Sequence, residues 1–369
     1  LLAIIKLIED KMNAPHDIEK IGVQCIILVE DSIRYTSTYL PELYKIVMQQ
    51  SRNFVKEALN EHQKMLRMRG RPKILLAKTY DEAMDLYQRY KENLLGVISD
   101  VSFKKGDRRD KESKLGITLV QQMRLEDPQL PALMQSSDLS NQSLAESMGV
   151  GFMHKYSKSL SLELRNFIIQ NFGFGPFIFR NPETMEEVSR AEDLRALQHR
   201  IHDIPDEVLS FHAARNDFSK WLNARAIFPV AQLFKYVRED DFPNRDDIRG
   251  YLYEAISSYR ISKGRGIIAQ FKKESHDTYR TFSRIGEESI GGKARGLAFI
   301  NAVIHKHNLY NKYPNTLITV PKTVVLSTDV FDEFMEQNNL YRVGLSDLSD
   351  EEILEHFVAG KLPGWLHQD

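Results

Sequence analysis

Four short clusters in the first half of the chain could do chemistry: Glu30-Asp31, Ser99-Asp100, Ser136-Ser137 and Lys155. Gathered in one place, three carboxylates repel one another and need a hard cation, and Mg²⁺ suits oxygen ligands. A metal there neutralises charge on a phosphoryl group arriving at Asp100. The Lys155 ammonium can pair with one phosphoryl oxygen and the Ser136 hydroxyl can hydrogen-bond another. A second cluster lies near the other end, in Ser289-Ile290-Gly291-Gly292-Lys293-Ala294-Arg295-Gly296. Two glycines let the backbone approach a ligand closely. A lysine at a helix N-terminus adds charge to the exposed N–H groups there, which suits phosphate. The G-x-x-x-x-G-K-[ST] spacing is absent, so this is not a Walker A loop.

The first set can act only if the fold brings its members to one rim. Apolar runs at 23–29 (VQCIILV), 73–78 (KILLAK), 94–99 (LLGVIS), 132–136 (ALMQS) and 151–154 (GFMH) read as five buried strands. Helical patterns at 40–69, 80–92, 116–126, 140–148 and 159–171 alternate with them. That alternation predicts an α/β fold, a doubly wound five-stranded parallel sheet with helices on both faces. Ligands of open parallel sheets sit beyond the carboxyl ends of the strands. Glu30-Asp31, Asp100, Ser136 and Lys155 all close strands, so the topology predicts one shared pocket. The loop 102–115 holds nine charged residues in fourteen and must be solvated.

Residues 1–20 read as an N-terminal helix, with Leu1, Ile4, Ile5, Ile8 and Met12 on one stripe. The start at Leu1, without Met, reads as a cut through a larger protein. Phe172-Gly173-Phe174-Gly175-Pro176 closes the sheet unit, 21–172. Residues 173–280 read as a helical connector, with helices at 191–202, 205–236 and 245–262. On the second of these, His212, Arg215, Trp221 and Arg225 could form a phosphate site, but packing across helices is the stronger reading. In 281–369 a helix follows Lys293 to about His307, then a strand at 317–327 and a helix at 329–338.

Composition limits the alternatives. Hydrophobic residues make up 42% and charged residues 27% of 369, the balance of a globular protein. Fifty Lys and Arg oppose 51 Asp and Glu, so no basic field draws in nucleic acid or an acidic membrane surface. No apolar run reaches the ~18 residues of a membrane span. The single cysteine, Cys25, excludes an internal disulfide and fits a reducing, cytoplasmic setting. A homodimer is left open.

The stretch from about 24 to 170 resembles the receiver domain of bacterial response regulators. The residues carrying this are Glu30-Asp31 after strand one, Asp100 after strand three, Pro131 five positions before Ser136, and Phe152 three before Lys155. The resemblance implies a flavodoxin-like fold in which Asp100 accepts a phosphoryl group. It implies that Glu30, Asp31, Asp100 and the backbone carbonyl of Ser102 hold Mg²⁺, and that Phe152 is a switching aromatic. It also implies a phosphodonor such as a cognate histidine kinase. Tyr156 departs from the family, which usually has Pro there, and the loop after Asp100 is longer than usual.

IGGKARGLAFIN (290–301) and VPKTVVLSTDVFDEFM (320–335) resemble the opening of the nucleotide-binding, ATP-grasp-type domain of phosphoenolpyruvate synthase and pyruvate phosphate dikinase. Lys322-Thr323 stands where that family prefers Gly-Phe, and Ala294 replaces a common Gly. The resemblance implies that Gly291, Gly292 and Lys293 contact ATP phosphates in a full-length protein whose catalytic domains lie downstream. Together the two resemblances imply a phosphorelay-controlled regulatory region of a dikinase-like phosphotransferase, itself not catalytic. The alternative is a docking or scaffold module whose pocket is not phosphorylated.

Overall fold

The five apolar runs become five strands in a computed structural model that describes residues 1–55, 65, 68–106, 111–112, 114–235, 237–242, 245–264, 268–271, 279 and 281–367. They are β1 (Cys25–Val29), β2 (Lys73–Ala77), β3 (Leu94–Asp100), β4 (Ala132–Ser136) and β5 (Gly151–His154). All four pairings are parallel, in the order β2-β1-β3-β4-β5. This is the doubly wound order in which the winding direction reverses between β1 and β3. Every residue of β1 and β3 is buried, which is why these runs show no polar alternation.

Helices cover both faces. They are α1 (Leu2–His16), α2 (Ile33–Val55), α3 (Tyr80–Tyr90), α4 (Leu115–Glu126), α5 (Gln142–Ser147) and α6 (Leu160–Asn171). One core joins Ile26, Leu28, Ile98, Leu133 and Met153 to Leu43 and Val47 of α2 and Leu164 and Ile168 of α6. The other joins Ile27, Val29 and Val97 to Tyr87 of α3 and Leu119 of α4. Helix α1 belongs to the same body: Ala3 and Leu7 pack on the first core, Ala14 enters the second. Helix α2 begins at Ile33, not at Leu40. Pro41 fits a first helical turn in sequence, yet the helix runs through it. The expected end near Arg69 falls partly on 56–64 and 66–67, outside the described residues, as do 107–110 and 113 of the charged loop.

Residues 173–264 open on a strand pair that the sequence reading missed. Phe177–Arg180 (β6) and Glu187–Ala191 (β7) are antiparallel. Then come α7 (Leu194–Asp203), α8 (Asp206–Ala214), α9 (Asp217–Ala224), α10 (Phe228–Phe234) and α11 (Arg245–Gly264). The single helix expected at 205–236 is three. Asn216 and Ala226 take left-handed φ values of 57° and 56° and end each segment.

The chain divides into two compact units, with the division at Ser257/Ser258. The second contains a three-stranded parallel sheet of β8 (Ala269–Gln270), β9 (Phe282–Ile285) and β10 (Thr323–Leu326). Helix α12 (Gly291–Lys306) packs Ala294 and Ala298 against Phe282. Helices α13 (Thr328–Gln337), α14 (Leu340–Gly344) and α15 (Asp350–Ala359) follow. The strand expected at 317–327 narrows to Thr323–Leu326, because Pro321 removes a ladder donor just before it. Among the described residues, no helix is long and apolar enough to cross a membrane.

Candidate functional site

At the point where the winding reverses, β1 ends and Glu30-Asp31 follows, while β3 ends on Asp100. Each of these three carboxylates offers an oxygen, and the three lie within 4.8 Å of one another. Lys155, just past β5, reaches into the cluster. Its Nζ stands 2.7 Å from Glu30 Oε2 and 2.7 Å from Asp100 Oδ2. Its side chain is only 3% exposed, so the ammonium is largely desolvated and its pairing is strong. Glu30 is fully buried. Burial, and then the Asp100 charge, push its carboxyl up from the ordinary range, against the pull of Lys155. The Ser32 N–H donates to Glu30 Oε1 at 3.0 Å and so fixes the turn into α2.

The other expected residues take distinct places. Ser102 meets Asp100 through its N–H, which donates to Oδ1 at 3.3 Å. Ser136 closes β4 on the same rim, but its Oγ accepts from the Asp138 N–H at 3.0 Å and from Asn141 Nδ2 at 3.1 Å. It is therefore turned toward its own loop. Phe152 is half-buried, stands opposite Met134 on β4 and packs against the cluster that contains Met134 and Ala145. In the second unit, Gly291, Gly292 and Lys293 form the exposed first turn of α12, with Gly291 at φ 75°. Ser289 Oγ there accepts from Arg295 at 2.9 Å.

Two side chains of α2 join the pocket although the sequence reading did not include them. The Tyr35 ring centroid lies 4.1 Å from Lys155 Nζ. Tyr39, one turn on and fully buried, has its hydroxyl pushed up by burial and then by the charges of Glu30 and Asp100. A signal existed: two tyrosines four residues apart directly after the acidic pair. Starting the helix at Leu40 hid it.

Helix α4 is set against the end of β3 by Gly116. A Cβ at that position would overlap the Asp100 carbonyl oxygen, while the Gly116 N–H donates to Val101 O at 3.0 Å. Gly116→Ala should therefore shift the Asp100 backbone and cost about 1–3 kcal/mol, as overpacking does. Urea denaturation measures this, and a stability equal to the parent would show that α4 can move freely.

His212 and Arg225, weighed above as phosphate ligands, are committed to packing. The Arg180 N–H donates to His212 Nε2 at 2.9 Å, so Nδ1 carries the proton that it donates to Asp217 Oδ2 at 2.7 Å. Arg225 is 2% exposed and donates to the carbonyls of Gly173, Phe174 and Gly175.

No family model matches the chain, and no curated protein matches it. Among solved structures, it is similar to a response regulator receiver domain protein from Clostridium thermocellum, at 17% sequence identity and a TM-score of 0.26, over 40% of this chain and 95% of that one.

Proposed function

We propose that residues 21–172 act as a receiver that takes a phosphoryl group on Asp100 from a histidine kinase or another phosphodonor. The observation that carries this reading is the Lys155 ammonium, placed 2.7 Å from both Glu30 and Asp100 at the switch point of a 2-1-3-4-5 sheet. Ligands of open parallel sheets bind at this switch point, beyond the carboxyl ends of the strands.

In the transfer, an Asp100 carboxylate oxygen attacks the donor phosphorus. The donor's bond to phosphorus breaks, and the leaving group keeps the electron pair. Glu30, Asp31 and Asp100 supply hard oxygens close enough together to hold Mg²⁺, with the Ser102 carbonyl as the fourth protein ligand. When bound, the metal neutralises the incoming phosphoryl charge. Lys155 moves from Asp100 Oδ2 to a phosphoryl oxygen. Ser136 now only accepts hydrogen bonds, so its hydroxyl proton can turn to another phosphoryl oxygen. Phe152, half-buried on the adjacent strand, follows that movement.

The receiver state in turn regulates a phosphoenolpyruvate synthase or pyruvate phosphate dikinase-like phosphotransferase. Support for this second step comes from the motifs at 290–301 and 320–335 and from α12 opening on Gly291-Gly292-Lys293. Those three residues would contact ATP phosphates.

The test is covalent. Acetyl phosphate with Mg²⁺ should yield an acid-stable, hydroxylamine-labile phosphate on Asp100, absent in Asp100→Asn. Beryllofluoride with Mg²⁺ should change amide exchange across 132–176 in the parent chain alone. Identical behaviour of parent and Asp100→Asn would leave a docking module whose pocket is not phosphorylated.

A further inference from the structure

One tyrosine lies against the Lys155 ammonium, and two more pack against that tyrosine. The Tyr35 ring lies against Lys155 at 4.1 Å. Tyr156, the residue after Lys155, meets Tyr35 edge-on with ring centroids 6.5 Å apart at 61°. Tyr39 stacks beneath Tyr35 at 6.3 Å and 25° and is fully buried. Exposure falls steeply inward: Tyr156 is 59% exposed, Tyr35 half-buried, and the Lys155 side chain 3% exposed. The Tyr35 hydroxyl is pushed up to about 12, first by the neighbouring Tyr156 hydroxyl and then by burial. One tyrosine thus comes from the start of α2 and one from just past β5, and they meet at the ring that lies against the lysine.

We propose that Tyr35 and Tyr156 form a gate over Lys155, with Tyr35 a positioning residue that holds the ammonium toward Asp100 and keeps water from that carboxylate. A ring face against a desolvated ammonium attracts it directly. It also removes the lysine rotamers that would swing outward between α2 and β5. The consequence rests on the receiver reading. An acyl phosphate on Asp100 is lost when a water oxygen attacks phosphorus. The bond from phosphorus to the Asp100 oxygen breaks, the electron pair returns to the carboxylate, and the water proton passes to solvent. A closed gate slows the approach of that water, so α2 sets the lifetime of the phosphorylated state.

Two measurements on the full chain separate the gate from the receiver reading. The first needs no phosphate: reductive methylation of Lys155 by formaldehyde and cyanoborohydride, followed by peptide mass spectrometry. Tyr35→Ala should raise the rate about 3- to 30-fold, the range of a cation–π contact, and Tyr35→Phe, which keeps the ring, should stay near the parent. Tyr35→Leu serves if the alanine variant does not fold. The second is the half-life of acid-stable phosphate after acetyl phosphate is removed. Tyr35→Ala should shorten it by a similar factor and Tyr35→Phe should restore it. Equal methylation of parent and Tyr35→Ala overturns the gate, whatever the phosphate result. Faster methylation without any phosphate uptake keeps the gate and overturns the receiver reading.

Discussion

Replacing Asp10 by alanine should destabilise the first unit by about 3–5 kcal/mol, the cost of leaving a buried charge without its partner. Asp10 is on α1 and fully buried. Its carboxylate accepts from the Tyr44 hydroxyl at 3.0 Å, from both terminal nitrogens of Arg71, and from the Ile74 N–H at 2.9 Å. Strand β2 is the edge of the sheet, so this last bond satisfies a donor that no neighbouring strand takes. Arg71 also lies over the Tyr44 ring at 5.5 Å. Lys73 extends the group toward Asp17 at 2.6 Å. Alanine would strand a guanidinium, a hydroxyl and an amide together. Asn keeps one acceptor and should cost about half as much. A urea midpoint shift equivalent to less than ~1 kcal/mol for Asp10→Ala would mean that α1 is not held by this network. Acid acts on the same group. Burial tends to raise the Asp17 carboxyl, but the Lys73 and His16 bonds outweigh it and hold it below 3.8. Its contribution is therefore present above pH 3.8 and is lost as pH falls through the lower folded value.

Arg225→Ala should cost about 3 kcal/mol or more and loosen the joint between α6 and the helices after it. The guanidinium binds three successive carbonyls of the turn 173–175 and stacks on Trp221 at 3.7 Å and Phe54 at 4.8 Å. Trp221 Nε1 adds a bond to Gly175 O at 2.9 Å. Gly173, at φ 78°, lets α9 come close, since a Cβ there would meet Ala224 at 3.1 Å. Removing the fork takes this donor from the Gly173 and buried Phe174 carbonyls, while Gly175 keeps Trp221, at about 1–3 kcal/mol for a buried carbonyl left unsatisfied. Arg225→Lys should recover less than half, because a single ammonium cannot span three acceptors. Urea denaturation gives the energy, and amide exchange at 160–176 reports the joint. Unchanged exchange in Arg225→Ala would show that other contacts hold it. Phe54 belongs to α2, the helix that also carries Tyr35, so the pocket and this joint share one rigid element.

The strands were legible because their cause is local. A run such as Cys25–Val29 is apolar at every position, short and rich in β-branched residues, which favours a strand buried on both faces over a helix segment. Once five such runs alternate with helical patterns, the parallel sheet and the rim residues Glu30, Asp31, Asp100, Ser136 and Lys155 follow from topology alone. Three things were decided only in the folded structure. The break of 205–236 into α8, α9 and α10 depends on left-handed residues, Asn216 and Ala226, that a hydrophobic period does not reveal. The β6–β7 pair is short, and β7 is mostly exposed, so its strand pattern is weak until Phe177 and Phe179 find Phe218 and His212. The partners of charged groups were equally hidden. Asp10 and Arg71 are 61 residues apart, and Lys155 and Glu30 are 125 apart. Residue type says that each needs a partner, because a buried charge is costly. Which partner it finds is set by the packing of helices against the sheet, and there Tyr35 came to lie over Lys155.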